Sequence, residues 1–144
     1  MKLITPSMLI LFSLAVNAQQ DFSRLKWKNR ILIFSTPALD SPKFREQWNA
    51  FQGSPKKIED RNIKLFVLVK GRILDQDLKA VPQMDVSALR KKYGLPAGTE
   101  GFVLIGKDGG VKERKNFVTD PKVIFSSIDN MPMRQQEMKE NLED

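Results

Sequence analysis

Phe102-Val103-Leu104-Ile105-Gly106-Lys107-Asp108-Gly109-Gly110-Val111-Lys112-Glu113-Arg114 is an apolar run, a glycine-rich turn and a polar run. It reads as a β-hairpin. Asp-Gly tolerates the positive φ that tight hairpin turns demand, which makes it one of the strongest short-range hairpin signals. The second strand is polar on both faces after Val111, as suits an edge strand where charge discourages pairing with a neighbour. Lys107-Asp108-Gly109-Gly110 is no phosphate loop, because the spacing is wrong and a strand follows where a helix should.

Upstream lie two more strands, Arg30 to Ser35 and Ile63 to Val69. Both are apolar at consecutive positions, so both faces should be covered. Between them Ser41-Pro42 opens a helix, with Ser as N-cap and Pro at the first helical position. Phe44, Trp48 and Phe51 form its apolar stripe, and Gly53-Ser54-Pro55 ends it. Lys70 to Met84 reads as a polar surface excursion with Ile73-Leu74 tucked in. Asp85 caps a short helix carrying Val86, Leu89 and Tyr93, and Gly94 is placed to end it in the left-handed conformation. After the hairpin, Asp120-Pro121 starts a helix with Ile124, Phe125, Ile128 and Met131 on its buried side. Pro132 interrupts it, and a charged tail follows.

The order is β-α-β-α-β-β-α. Two covered strands joined through a helix imply a right-handed parallel crossover, and the hairpin adds an antiparallel pair. The expected fold is α/β: a thioredoxin-like three-layer sandwich around a mixed four-stranded sheet.

Residues 1–18 have the pattern of a signal peptide. Lys2 is the basic start, Leu3 to Ala15 is mostly apolar, and Val16-Asn17-Ala18 suits cleavage after Ala18. A single-pass anchor is the rival reading, but the apolar run falls short of the ~20 residues a span needs. The expected division is 1–18 signal peptide, 19–135 folded domain and 136–144 charged tail, with the product periplasmic or secreted. Without Lys2 the net charge of +7 falls to +6. The basic residues are scattered and do not alternate with aromatics, so a solvated surface is expected and nucleic acid is not. A monomer is expected.

Neither cysteine nor histidine occurs in the 144 residues. The chain therefore has no disulfide staple, no thiol nucleophile, no Cys-His pair and no Ser-His-Asp triad. Zinc sites built from Cys and His are excluded with them.

Leu104-Ile105-Gly106-Lys107-Asp108-Gly109-Gly110-Val111-Lys112, then Ile128-Asp129-Asn130-Met131-Pro132-Met133-Arg134 and Glu137-Met138, resemble the bacterial domain-of-unknown-function 4174 family. That family is similar to the DUDES-type domains of animal extracellular proteins. The resemblance extends to Trp27-Lys28-Asn29-Arg30 and implies a thioredoxin-like fold without established activity. A thioredoxin carries Cys-x-x-Cys about where Thr36-Pro37-Ala38-Leu39-Asp40-Ser41 stands here, and a cis-proline about where Glu100-Gly101 stands. Both are missing, which argues against disulfide exchange.

The candidate contact surface is the groove such a frame inherits, with Thr36, Leu39, Ser41, Thr99 and Glu100. The loop from Thr36 to Ser41 meets a helix N-terminus, which attracts anions and carbonyls unless Asp40 and Ser41 cap it themselves. Arg134, beyond the proline, could clamp Asp129 or the carbonyls ending the previous helix, or face a partner. Met131, Met133 and Met138 offer thioethers suited to Cu(I), but methionine is commonly a gap-filler in cores. No metal and no cofactor are expected. The first functional reading is an exported, noncatalytic binding module. Its rivals are an envelope enzyme using Thr36 or Ser41 and a structural envelope protein.

Overall fold

The computed structural model describes residues 21–144. The signal-peptide reading of 1–18 lies outside them. The strands are β1 (Arg30–Thr36), β2 (Ile63–Val69), β3 (Arg72–Leu74), β4 (Gly101–Ile105) and β5 (Val111–Asn116). They form one mixed sheet in the order β3-β2-β1-β4-β5. β1 and β2 run parallel, with Leu32 opposite Leu65. β4 runs antiparallel to β1, with Leu32 opposite Leu104.

The helices are α1 (Pro42–Gln52), α2 (Pro55–Asp60), α3 (Val86–Tyr93), α4 (Pro121–Asp129) and α5 (Pro132–Glu143), after a 3-10 turn at Phe22–Leu25. Every residue of β1 is buried: the apolar run Ile31 to Phe34 demands cover on both faces, and Arg30, Ser35 and Thr36 are buried with it. On one face, Leu32, Phe34, Phe102 and Leu104 pack under Phe44, Trp48 and Phe51 of α1 and Ile124, Phe125 and Ile128 of α4. On the other, Ile31, Ile33, Val103 and Ile105 meet Phe22, Leu89, Tyr93 and Leu95. Helices on both sides of a sheet make three layers.

The sheet has five strands where the sequence suggests four. Lys70, at a positive φ of 54°, and Gly71 turn the chain, so that Leu68 pairs with Ile73. Ile73 and Leu74 are buried against β2, and that contact makes a strand of two apolar residues in polar surroundings. The helix stop at Gly53 is followed at once by α2, which buries only Ile58. The tail from Gln136 continues α5, a twelve-residue helix.

The caps divide. Asp85 accepts from Ala88 N and Asp120 from Lys122 N, and Gly94 ends α3 at φ 62°. Ser41 stands at the N-cap position of α1, but its side chain makes no cap bond. The hairpin closes through Gly106 N donating to Gly110 O, with Gly109 at φ 84°. β5 is one of the sheet's two edge strands, with β3 at the other side.

Candidate functional site

The C-terminal end of β1 carries the first group of candidate residues. Thr36 is fully buried, and its Oγ1 donates to Ala38 O at 2.8 Å. Leu39 packs, half-buried, against the aromatic core. Ser41 Oγ donates to Glu100 Oε2 at 2.9 Å. The Glu100 carboxylate thus stands at the N-terminal end of α1, where the helix dipole favours negative charge. Thr99 closes a turn through its N–H to Pro96 O, and Glu100 O accepts from Phe117 N. Ser41 and Glu100 are therefore brought into contact, whereas Thr36 and Thr99 are each bound within their own loops.

The opposite end of β1 carries a denser group. Arg30, with 1% of its surface exposed, donates from NH1 and NH2 to the two oxygens of Glu137, at 3.1 and 3.2 Å. Lys107, from the hairpin loop, reaches the same carboxylate at 2.5 Å. Arg134 donates to Asp129 Oδ1 at 3.1 Å, to Asp60 O at 2.8 Å and to Asp60 Oδ2 at 2.6 Å. Arg61 takes Asp129 with two bonds, at 3.0 and 2.7 Å. Arg134 is thus a clamp on Asp129, and the carbonyl it reaches ends α2, not α4. Four cations meet three carboxylates, which leaves one positive charge over.

Burial alone would raise the Glu137 carboxyl, but the hydrogen bonds from Arg30 and Lys107 outweigh it and hold the group below its ordinary value. Asp129 behaves alike: burial pushes up, and Arg61 and Arg134 pull it down further. Burial works against the charge of Arg134, while Asp129 and Asp60 raise its pKa in net.

The remaining motif residues gather beside this cluster. Asp108 accepts from Gly110 N and from Lys112 Nζ at 2.8 Å, and these bonds, the lysine's first, hold its carboxyl low. A cavity of about 560 Å³ opens between Gly106 to Asp108 and Asn130 to Met133. Met131 packs against the core and Met133 is exposed. Met138 lies further along α5, half-buried.

Sequence reading missed the joint role of Arg30, Asp60, Arg61 and Glu137. One signal was present: an arginine directly before the apolar run Ile31 to Phe34 needs a carboxylate partner if it is buried.

Sheet order, parallel crossover and helix placement define a thioredoxin-like α/β fold. The reduced 2-Cys peroxiredoxin of Plasmodium vivax is similar, with TM-score 0.57 and 17% identity over 78% of this chain and 83% of that one. Thioredoxin peroxidase I of Plasmodium yoelii gives TM-score 0.54 and 16% identity, covering 79% of each chain. At such identities the likeness concerns the fold alone.

The model of the family described as "Domain of unknown function (DUF4174)" matches residues 21–137, and the chain belongs to that family. The Sushi repeat-containing protein SRPX is 32% identical over 117 residues in both rat and human, which is 77% of this chain and 25% of the relative. Coiled-coil domain-containing protein 80 of Danio rerio is 23% identical over 132 residues, 81% of this chain and 15% of that protein. The chain thus spans about a quarter of the length of the sushi-repeat relatives. Among the described residues, no helix is long and apolar enough to cross a membrane.

Proposed function

We propose that the chain is an exported, noncatalytic binding module, built on a thioredoxin-like frame and without redox chemistry. The observation that carries this reading is the Ser41–Glu100 hydrogen bond. It fills the end of β1, where the fold's redox members keep their thiols, with an internal polar pair. The solved neighbours are named for peroxidase chemistry. That chemistry has no nucleophile here, since the attacking species is a thiolate and this chain has no cysteine. The contact surface in this reading is the groove beside Leu39, Ser41, Thr99 and Glu100, reached from the periplasm or the cell exterior after cleavage behind Ala18.

Three measurements test it. N-terminal sequencing of the exported protein should begin at Gln19; a full-length chain confined to the cytoplasm refutes export. Insulin reduction and a panel of ester, phosphate and peptide substrates should show no turnover. Affinity capture from the exported fraction should lose its partner with Leu39→Ala and Thr99→Ala combined, and an unchanged capture profile rejects the groove.

The same hydrogen bond supports a second reading. A hydroxyl bonded to a carboxylate is the minimum of a nucleophile with a base. Turnover that disappears in Ser41→Ala and in Glu100→Gln would establish that enzyme and overturn the noncatalytic module.

A further inference from the structure

The cavity at the N-terminal end of β1 is separate from the Ser41–Glu100 pair at its other end, about 20 Å away along a strand that rises ~3.3 Å per residue. Its walls come from three elements. Arg30 belongs to β1, Lys107 and Lys112 to the hairpin, and Asn130, Met131 and Met133 to the α4–α5 junction. At about 560 Å³ it falls within the size range of small-molecule sites.

Three observations give it a chemical preference. First, α5 starts on its rim. Met131 is the N-cap residue and provides no side-chain acceptor, so the first N–H groups of this twelve-residue helix have no capping side chain. The positive end of the helix dipole points the same way. Second, Arg30 lines the cavity while 1% exposed, and its buried Nε has no hydrogen-bond partner. Third, Lys107 and Lys112 each donate one hydrogen bond to a carboxylate, Glu137 and Asp108 respectively. An ammonium has three protons, so both keep donors to spare. The carboxylates nearby are Asp108, Glu137 and Glu113; the last accepts from Ser127 Oγ at Oε1, and its buried Oε2 has no hydrogen-bond partner. Against them stand Arg30, Lys107 and Lys112, with Lys115 3.9 Å from Glu113; Arg134 and Arg61 are taken up by Asp129 and Asp60. Met131, Pro132 and Met133 supply an apolar wall beside these donors, and Met133 is 41% exposed.

We propose that this cavity binds a small organic anion, with an oxyanion head between the α5 N-terminus and the two lysines and an apolar body on the methionines. The site does not depend on how the Thr36–Ser41 loop is read. Carboxylate and phosphate heads share the required chemistry, and two probes tell them apart.

The test is a nitrogen-15 NMR titration of the protein with phenyl phosphate and with benzoate, using benzyl alcohol as the neutral control. The expected result is saturable movement of the Gly106, Lys107, Met133 and Arg134 amides with at least one anion. The stronger of the two identifies the head group. Asn130→Asp adds a negative charge at the rim, and Lys112→Gln removes a positive one; both positions are exposed, so the fold should survive. Each change should weaken binding about five-fold, the size of a partly exposed charge contact. The proposal fails if benzyl alcohol moves the same amides as strongly. It also fails if neither anion moves them at ~10 mM, far above the range of specific sites, or if both variants bind as the wild type does.

Discussion

Arg30 and Glu137 are 107 residues apart in the chain and meet through two hydrogen bonds, one to each carboxylate oxygen, at 3.1 and 3.2 Å. The pair ties the last helix to the first strand, and Lys107 adds the hairpin to the same carboxylate. Removing Glu137 strands a buried guanidinium. Breaking a buried pair from one side costs roughly 3–5 kcal/mol. Glu137 retains 20% exposure, which lets water relieve part of that cost. Glu137→Ala should therefore lose about 3 kcal/mol in urea unfolding at pH 7, while the exposed Glu140→Ala stays within about 0.5 kcal/mol of wild type. Equal effects at the two positions would show that the Arg30 pair does not hold α5.

The same cluster sets an acid limit. Glu137 and Asp129 titrate lower in the folded chain than their ordinary values of 4.5 and 3.8. Their contribution is complete above those values and is lost as pH falls through the depressed folded ones, because the unfolded chain takes up protons first. The urea midpoint should hold from pH 7 to about pH 5 and fall below that. Combining Glu137→Gln with Asp129→Asn should flatten the fall below pH 5 at the cost of lower stability at pH 7. An equally steep fall in the double variant would assign the acid limit to other carboxylates.

Gln47 is fully buried and joins α1 to the loop before α4 through one residue. Its Nε2 donates to Thr119 O at 2.9 Å, and Thr119 N donates to its Oε1 at 2.6 Å. Gln47→Leu keeps the volume and leaves both Thr119 groups without their partner, an expected loss of about 2–4 kcal/mol. Gln47→Glu retains the acceptor but, when ionised, cannot donate to Thr119 O. Burial raises such a carboxyl, so this variant should recover ground relative to wild type as pH falls. Thermal unfolding at pH 7 and pH 5 reads both effects. A Gln47→Glu deficit that stays the same at the two pH values would rule out the donor role.

What could be read from the sequence was local chemistry. Asp85 and Asp120 announce helix starts because a cap needs only its own next residues, and β1 announces burial through Ile31 to Phe34; β2 is covered on both faces only from Val67 to Val69, with Lys64 exposed and Phe66 half-buried. β3 is not legible, since Ile73-Leu74 becomes a strand only through β2 beside it. α5 reads as a tail because its inward residues are charged: Arg134 is 3% exposed, and the helix has no apolar stripe to signal burial. Among the candidate residues, Ser41 and Glu100 are 59 positions apart, and no spacing rule connects them. Arg30 and Glu137 are hidden for the same reason.

The two helix starts at Ser41 and Asp120 look alike in sequence and differ in what the side chain does. Asp120 accepts from Lys122 N at 3.0 Å, so Asp120→Ala should cost about 1 kcal/mol and Asp120→Asn almost nothing. Ser41 donates to Glu100 instead and leaves α1 without a side-chain cap. Ser41→Ala should then cost whatever the Glu100 bond is worth, about 0.5–1.5 kcal/mol. The two cases separate in double-mutant cycles with Glu100→Ala, which removes the acceptor. Ser41→Ala should couple to it by at least ~0.5 kcal/mol, whereas Asp120→Ala, with no shared partner, should add to it within about 0.3–0.5 kcal/mol. Urea unfolding of the six proteins measures both cycles. Additivity of Ser41→Ala with Glu100→Ala would dissolve the polar pair at the end of β1, and with it the observation on which the noncatalytic reading rests.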